Sequence, residues 1–145
     1  MPTSAITFGI GNDCYAIAGD VVREVVAGVR PTRLPTAPAV LLGVFNLRGE
    51  VVPVFDIAGL LGLRRSDGGD TAIVVTLTAG PAGLLVDGLP KMETLSEPIA
   101  RSQLRSTLGT FDVADGLAVL LDIEELIEAH AALAGHIAHD RVSPR

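Results

Sequence analysis

Residues 43–56 read GVFNLRGEVVPVFD, and this segment decides the fold prediction. Two apolar runs flank the pair Arg48-Gly49, and glycine accepts the positive φ angle of a tight hairpin turn. Asn46 is placed to bond the turn backbone, while Arg48 is expected to project from the tip into solvent. The segment therefore predicts a β-hairpin. It is either an ordinary hairpin or one whose arginine, held between apolar residues, anchors a protein partner.

The strand after this turn carries further signals. Pro53 has no N–H group for a hydrogen-bond ladder, so it predicts a bulge or a sheet edge within Val51–Phe55. Asp56 ends the strand and is a candidate N-cap. The apolar residues that follow it fit one or two helical turns ending near Gly62.

Similar turn signals divide the rest of the chain into short apolar runs. They lie at residues 11–13, 79–81, 87–88 and 115–116, and the last two are Asp-Gly pairs, which favour hairpin turns. This spacing predicts an antiparallel all-β sandwich or barrel. Two continuously apolar runs, Val40–Val44 and Leu117–Leu121, predict strands that are buried on both faces or that cover a second layer. The polar stretches Arg64–Asp70 and Ser96–Gly109 predict loops.

The end of the chain predicts a helix. Asp122 and Glu125 have the spacing of a capping box. The apolar residues behind them roughly keep a 3.6-residue period; they are Ile123, Leu126, Ile127, Leu133 and Ile137. We expect one domain over residues 1–139 and a flexible tail over residues 140–145.

Composition excludes several classes of protein. The 145 residues suffice for one core, and 48% hydrophobic with 19% charged residues excludes intrinsic disorder. A net charge of −6, no Trp, one Tyr and four Phe disfavour binding to nucleic acid or to an anionic membrane. The longest apolar stretch, Val51–Leu63, is interrupted by Asp56 and is too short to span a membrane. No secretory signal is visible, so we expect a cytoplasmic protein without direct membrane insertion.

The sequence offers no catalytic constellation. Cys14 is the single cysteine, which excludes an internal disulfide, and we expect it to be a small buried residue. His130, His136 and His139 lie near the C-terminus without further ligands at metal-binding spacing, so we interpret them as solvated. Gly9-x-Gly11 leads from a strand into another strand, which favours a hairpin turn over a dinucleotide site. We predict no catalytic residue, no metal and no cofactor.

The hairpin segment resembles the signature of the CheW-like domains, which couple chemoreceptors to a CheA-type histidine kinase. The resemblance rests on Asn46-Leu47-Arg48-Gly49 and Val51-x-Pro53-Val54-x-Asp56. Four further segments resemble the family in the same order: Cys14–Ile17 with Val22–Val25, Leu34–Val44, Gly83–Leu89 and Leu120–Leu126. The resemblance therefore extends over most of the chain.

This resemblance implies an all-β fold of two intertwined five-stranded SH3-like barrels that share an apolar core. It also implies a non-enzymatic adaptor with one surface for the hairpin tip of a chemoreceptor and another for the regulatory domain of the kinase. The receptor-binding residues carried over from the family are Val22, Glu24, Val25, Arg48 and Gly49. Each has a structural alternative: both valines as core residues, Glu24 as a solvated strand residue and Arg48 as part of an internal salt bridge.

One departure from the family lies between Asp87-Gly88 and Leu120-Leu121-Asp122. A longer, proline-containing segment is usual there, and this chain has the abbreviated Ser96–Gly109. The loss either shortens a connection or removes an edge from a barrel, so no kinase-binding residues are assigned. A rival hypothesis keeps receptor binding without kinase binding, and a remote one is a small-ligand-binding or enzymatic barrel.

Overall fold

The computed structural model describes residues 3–64, 69–101, 106–114 and 116–130. Within these ranges the chain forms nine strands and two short helices. Helix α1 covers Ile57–Leu60 and helix α2 covers residues 123–130. The strands are β1 (Thr3–Ile10), β2 (Asp13–Ala18), β3 (Val22–Val26), β4 (Leu41–Leu47), β5 (Glu50–Asp56), β6 (Thr71–Leu77), β7 (Gly80–Leu95), β8 (Thr107–Val113) and β9 (Gly116–Leu121).

The strands form two five-stranded units that share β7. Barrel A contains β1, β2, β8, β9 and the second half of β7, and barrel B contains β3, β4, β5, β6 and the first half of β7. Because barrel B lies between β2 and β8 in chain order, the two units are intertwined, as the resemblance implied. Most pairings are antiparallel, but β2 pairs with β9 and β5 pairs with β7 in parallel, which the sequence did not predict.

Strand β7 joins the barrels by bending. The hairpin turn predicted at Asp87-Gly88 is wrong, because β7 runs on through this pair to Leu95. Gly88 has a φ of 68°, and the register against β1 shifts between Thr7 and Gly9. The positive φ therefore redirects a continuing strand from one barrel into the other instead of reversing it.

The predicted hairpin is confirmed as β4 and β5. The backbone N–H and C=O of Val44 both bond to Thr32, at 3.0 and 2.7 Å. These two groups therefore point away from Pro53, the neighbour of Val44 on β5. Pro53 can occupy this position because β4 requires no N–H from it and the ladder with β7 begins one residue later, at Val54. The chain approaches so closely at Gly43 that an added Cβ would lie 2.2 Å from the Thr32 carbonyl oxygen.

The core has three layers, and the largest lies between the barrels. Alternate residues of β6 show this arrangement: Ile73 and Val75 face the inter-barrel layer, whereas Ala72 and Val74 face the interior of barrel B. The interior of barrel A is smaller and includes Ala5, Ala16, Leu95, Phe111 and Ala118. The apolar inter-barrel core implied by the resemblance is therefore present.

Burial on both faces occurs in strands other than the expected ones. It occurs in β6 and in the first half of β7, whereas Val40–Val44 is mostly half-buried and Leu117 is 53% exposed. An apolar run by itself does not distinguish these cases, because burial depends on which layer each face meets. Cys14, expected to be buried, is half-buried at the margin of the barrel A interior.

The connection between β7 and β8 is short, but barrel A keeps its edge strand. Ile99 N–H donates to the Thr110 carbonyl at 2.8 Å, so the connection itself pairs with β8. Glu93 connects β7 with β1 and with the end of β8. Its carboxylate accepts from the Thr7 hydroxyl at 2.7 Å and from the Ala114 N–H at 3.0 Å. Barrel A therefore has five strands, and the described part of the connection adds to its edge at β8.

Helix α1 and the first part of the predicted C-terminal helix, α2, are present, whereas Leu133 and Ile137 of its apolar stripe lie outside the described residues. Asp122 caps α2, accepting from the Glu125 N–H at 3.2 Å. His130 is half-buried, with Nε2 2.7 Å from the Leu60 carbonyl oxygen, so its assignment as a solvated residue is wrong. His136, His139 and residues 140–145 lie outside the described residues, as does Asp115 of the second Asp-Gly pair. Within the part that is described, neither helix has the length and apolar character needed to cross a membrane.

Candidate functional site

The site begins at the two-residue turn between β4 and β5. Arg48 and Gly49 have φ angles of 51° and 90°, so both occupy the left-handed region that hairpin turns of this length require. The Gly49 N–H donates to Asn46 Oδ1 at 2.7 Å, as predicted. A non-glycine residue in this region carries backbone strain, which persists where surrounding contacts hold it.

Arg48 makes such contacts with Glu24 on β3. Its guanidinium donates to both carboxylate oxygens, with Nη1 3.1 Å from Oε1 and Nη2 bonded to Oε2. This two-point geometry is the strongest form of an arginine–carboxylate pair. The salt bridge proposed as the alternative for Arg48 is therefore present, although 65% of the side chain remains exposed.

A second ion pair lies beside the first. Arg23 Nη1 is 2.8 Å from Glu50 Oε1, and Arg23 Nε is 3.9 Å from Glu24 Oε2. Two ion pairs thus connect β3 to the hairpin of β4 and β5. Strands β3 and β4 are the two edge strands of barrel B, so these pairs join its edges. The hydrogen bonds from Arg48 are the main cause of a lowered pKa of Glu24, and the same bonds raise the pKa of Arg48.

A bulge in β3 sets the direction of its side chains. Val22 is opposite Val75, but Glu24 is opposite Val74, so Arg23 is an additional residue in the pairing with β6. Val25 is opposite Ile73, which like Val75 faces the inter-barrel layer. The bulge therefore places Val22 and Val25 on one face, although they are three residues apart, and turns Glu24 towards Arg48.

The two valines line a groove between the barrels. The barrel groove has a volume of about 340 Å³, and one wall is β3 of barrel B. The opposite wall comes from β1 and the second half of β7 in barrel A, including Met92, which is 67% exposed. The full lining is Ser4, Ile6, Gly19, Val22, Arg23, Glu24, Val25 and Met92.

The structure places the five predicted site residues on one continuous surface. Val22, Glu24 and Val25 line the barrel groove, and Glu24 joins it to Arg48 and Gly49 on the hairpin. Val22 packs partly into the inter-barrel core, so it has both of the roles considered for it, whereas Val25 is 44% exposed.

Sequence reasoning missed Met92 and Arg23. Met92 was missed because Asp87-Gly88 was interpreted as the end of a strand, whereas β7 continues past it. An apolar residue exposed on the continuing strand is a signal that becomes visible only once this bend is known.

A second exposed apolar region, the outer cleft, lies at another margin of the inter-barrel layer, next to α2. It has a volume of about 280 Å³ and shares no lining residue with the barrel groove. Val51 at its rim is 64% exposed. Its lining is Val51, Pro53, Phe55, Leu77, Ala79, Gly80, Pro81, Ala82 and Ile127.

The chemistry of these surfaces suits binding. The barrel groove combines exposed apolar side chains with fixed, paired charges, which are the features of a protein recognition surface. Among the described residues, no three His, Cys, Asp or Glu side chains are grouped so that they could hold a metal ion.

This chain is similar in sequence to chemotaxis proteins of several bacteria. The "Probable chemotaxis protein CheW" of Rhizobium etli is 35% identical over 96 residues, which are 65% of this chain and 62% of that protein. The "Chemotaxis protein CheW" of Helicobacter pylori is 31% identical over 132 residues, covering 85% of this chain and 80% of that one. The aligned part of this chain thus spans about three-fifths of the Rhizobium protein and four-fifths of the Helicobacter protein.

The fold of this chain is also similar to that of a solved structure. The crystal structure of scaffolding protein TtCheW from Thermoanaerobacter tengcongensis matches with a TM-score of 0.76 at 24% identity, covering 88% of this chain and 94% of that chain. The family model described as the CheW-like domain matches residues 4–131. The chain therefore belongs to the CheW-like domain family.

Proposed function

We propose that this protein is a non-enzymatic chemotaxis adaptor that couples the cytoplasmic hairpin tip of a chemoreceptor to a CheA-type histidine kinase. The observation that carries this proposal is the barrel groove beside the Arg48–Glu24 pair. The apolar side chains supply the area to be buried, and the paired charges supply orientation. Because the receptor tip lies in the cytoplasm, the adaptor acts there, recruited to receptor arrays.

The receptor contact is assigned to Val22, Glu24, Val25, Arg48 and Gly49, with Met92 added from the opposite wall of the groove. Val25 and Met92 are exposed apolar residues that a partner would cover. Charges on the hairpin are already paired, so a partner that brings its own polar groups avoids desolvating an isolated ion.

We assign the kinase regulatory domain to the outer cleft. An adaptor needs two surfaces that can be occupied at the same time, because simultaneous occupancy raises the effective concentration of the third component. The outer cleft meets this need, since it is apolar, exposed at Val51 and separate from the barrel groove.

Binding of purified components tests the assignment. Val25→Asp is expected to weaken binding of a receptor tip fragment at least about tenfold and to leave kinase binding unchanged. Val51→Asp is expected to weaken kinase binding at least about tenfold and to leave receptor binding unchanged. Leu117→Asp on β9 is the matched control, because Leu117, at 53%, is intermediate in exposure between Val25 and Val51 and lines neither surface. An adaptor role is excluded if the unaltered protein binds neither partner.

A second candidate is a family member that binds the receptor but not the kinase. The connection between β7 and β8 favours it, because the resemblance to the family implies a longer, proline-containing segment where this chain has Ser96–Gly109. This candidate predicts receptor binding at full strength together with loss of the kinase from a pull-down. Near-stoichiometric retention of the regulatory domain contradicts it.

A further inference from the structure

Helix α2 is attached to both barrels. It directly follows β9 of barrel A, and its Ile123 and Leu126 are buried in the inter-barrel core. Two of its side chains, Glu124 and His130, contact barrel B and α1. Glu124 accepts from the Thr78 N–H at 2.7 Å and from the Thr78 hydroxyl at 2.9 Å, and His130 contacts the carbonyl of Leu60 in α1.

These contacts lie close to the wall of the barrel groove. Thr78 follows β6, whose Thr76 N–H donates to the Val21 carbonyl at 2.8 Å. Val21 immediately precedes Val22, which lines the groove. A connected series of hydrogen bonds and packed side chains therefore runs from α2 through the end of β6 to the start of β3.

The two walls of the groove belong to different barrels. Val22 and Val25 lie on β3 of barrel B, whereas Ile6 and Met92 lie on strands of barrel A. The width of the groove consequently depends on how the barrels are held relative to each other. The contacts of Glu124 and His130 join α2, which follows the last strand of barrel A, to barrel B and α1.

We infer that α2 is a clamp that sets the width of the barrel groove, with Glu124 and Thr78 as positioning residues for receptor binding. This inference rests on the proposed function. When α2 holds the groove at the width that binds the receptor, all of the protein is competent to bind. When the contact between α2 and Thr78 is removed, a wider conformation becomes populated, and the apparent affinity falls by the fraction of protein in that conformation. The two hydrogen bonds from Thr78 favour the charged carboxylate and lower the pKa of Glu124, which agrees with a well-formed contact.

The experiment measures affinity and inter-barrel distance in the same variants. Glu124→Ala removes both hydrogen bonds, whereas Thr78→Val removes the bond from the hydroxyl and keeps the bond from the backbone N–H. Glu128→Ala, on an exposed position of the same helix, is the matched control. Spin labels on Ala27 and Asp112, both exposed and on different barrels, report the distance in a Cys14→Ala background. For Glu124→Ala we expect about three- to tenfold weaker binding of the receptor fragment and a broader distance distribution, with the control unchanged. Thr78→Val is expected to change both quantities in the same direction but less.

Two results overturn the clamp: unchanged affinity in both variants, or an unchanged distance distribution. If Glu124→Ala fails to fold, Thr78→Val decides by the loss of the hydroxyl bond alone, because valine keeps the shape of the side chain. If the unaltered protein does not bind the receptor fragment, the proposed function fails separately. The distance measurement then still decides whether α2 fixes the relation of the barrels.

Discussion

At the scale of single residues, Arg48 combines backbone strain with an exposed ion pair. Its φ of 51° suits glycine, while its guanidinium is bonded to Glu24. We predict that Arg48→Gly keeps an unfolding midpoint equal to or above that of the unaltered protein, because relief of strain offsets the lost surface pair. Receptor binding is expected to fall at the same time. Thermal unfolding and binding to the receptor fragment check both parts, and a large drop in the midpoint would show that Arg48 is structural.

The paired glutamates predict a response to acid. The pKa of Glu24 and that of Glu124 are both lowered by hydrogen bonds, so their contribution to stability is complete above the ordinary glutamate value of 4.5 and is lost as pH falls through the folded values. We therefore expect the double variant Glu24→Gln and Glu124→Gln to show a shallower loss of stability below that pH. Denaturant unfolding as a function of pH measures this. Identical slopes in both proteins would contradict the contribution of these pairs.

At the scale of elements, the approach of residue 32 to β4 depends on Gly43. An added Cβ would meet the Thr32 carbonyl at 2.2 Å, and the φ of 148° is itself unfavourable for other residues. We predict that Gly43→Ala destabilises the protein by at least about 2 kcal/mol, because the backbone must separate. Gly11→Ala is the control: it also has a positive φ but meets nothing within 4 Å, so only about 1 kcal/mol is expected. Equal losses in denaturant unfolding would argue against the steric explanation.

At the scale of the whole molecule, the inter-barrel layer makes the two barrels one cooperative unit. Leu84 is fully buried in this layer, on the strand that both barrels share. We predict that Leu84→Ala costs about 2–5 kcal/mol and lowers the protection of amides in both barrels equally. Hydrogen exchange measures this barrel by barrel. Loss of protection confined to barrel B would show that the barrels unfold independently.

The local features were readable from the sequence because they depend on neighbouring residues. The turn at Arg48-Gly49, the bond from Asn46 and the cap at Asp122 each follow from the conformational preferences of a few adjacent residues. The order of family motifs indicated the two-barrel fold. The Asp87-Gly88 pair shows the limit of such reasoning, since the same residues that reverse a chain can also bend a strand that has partners on both sides.

The amino-acid sequence by itself therefore determined the hairpin, the family and the residues proposed for the receptor contact. Only the tertiary structure decided that Glu24 pairs with Arg48, that a bulge aligns Val22 with Val25, and that Met92 forms the opposite wall of the groove. The physical reason is that these contacts join residues distant in the chain. Their geometry is set by strand register and by the packing of one barrel against the other, which no local pattern encodes.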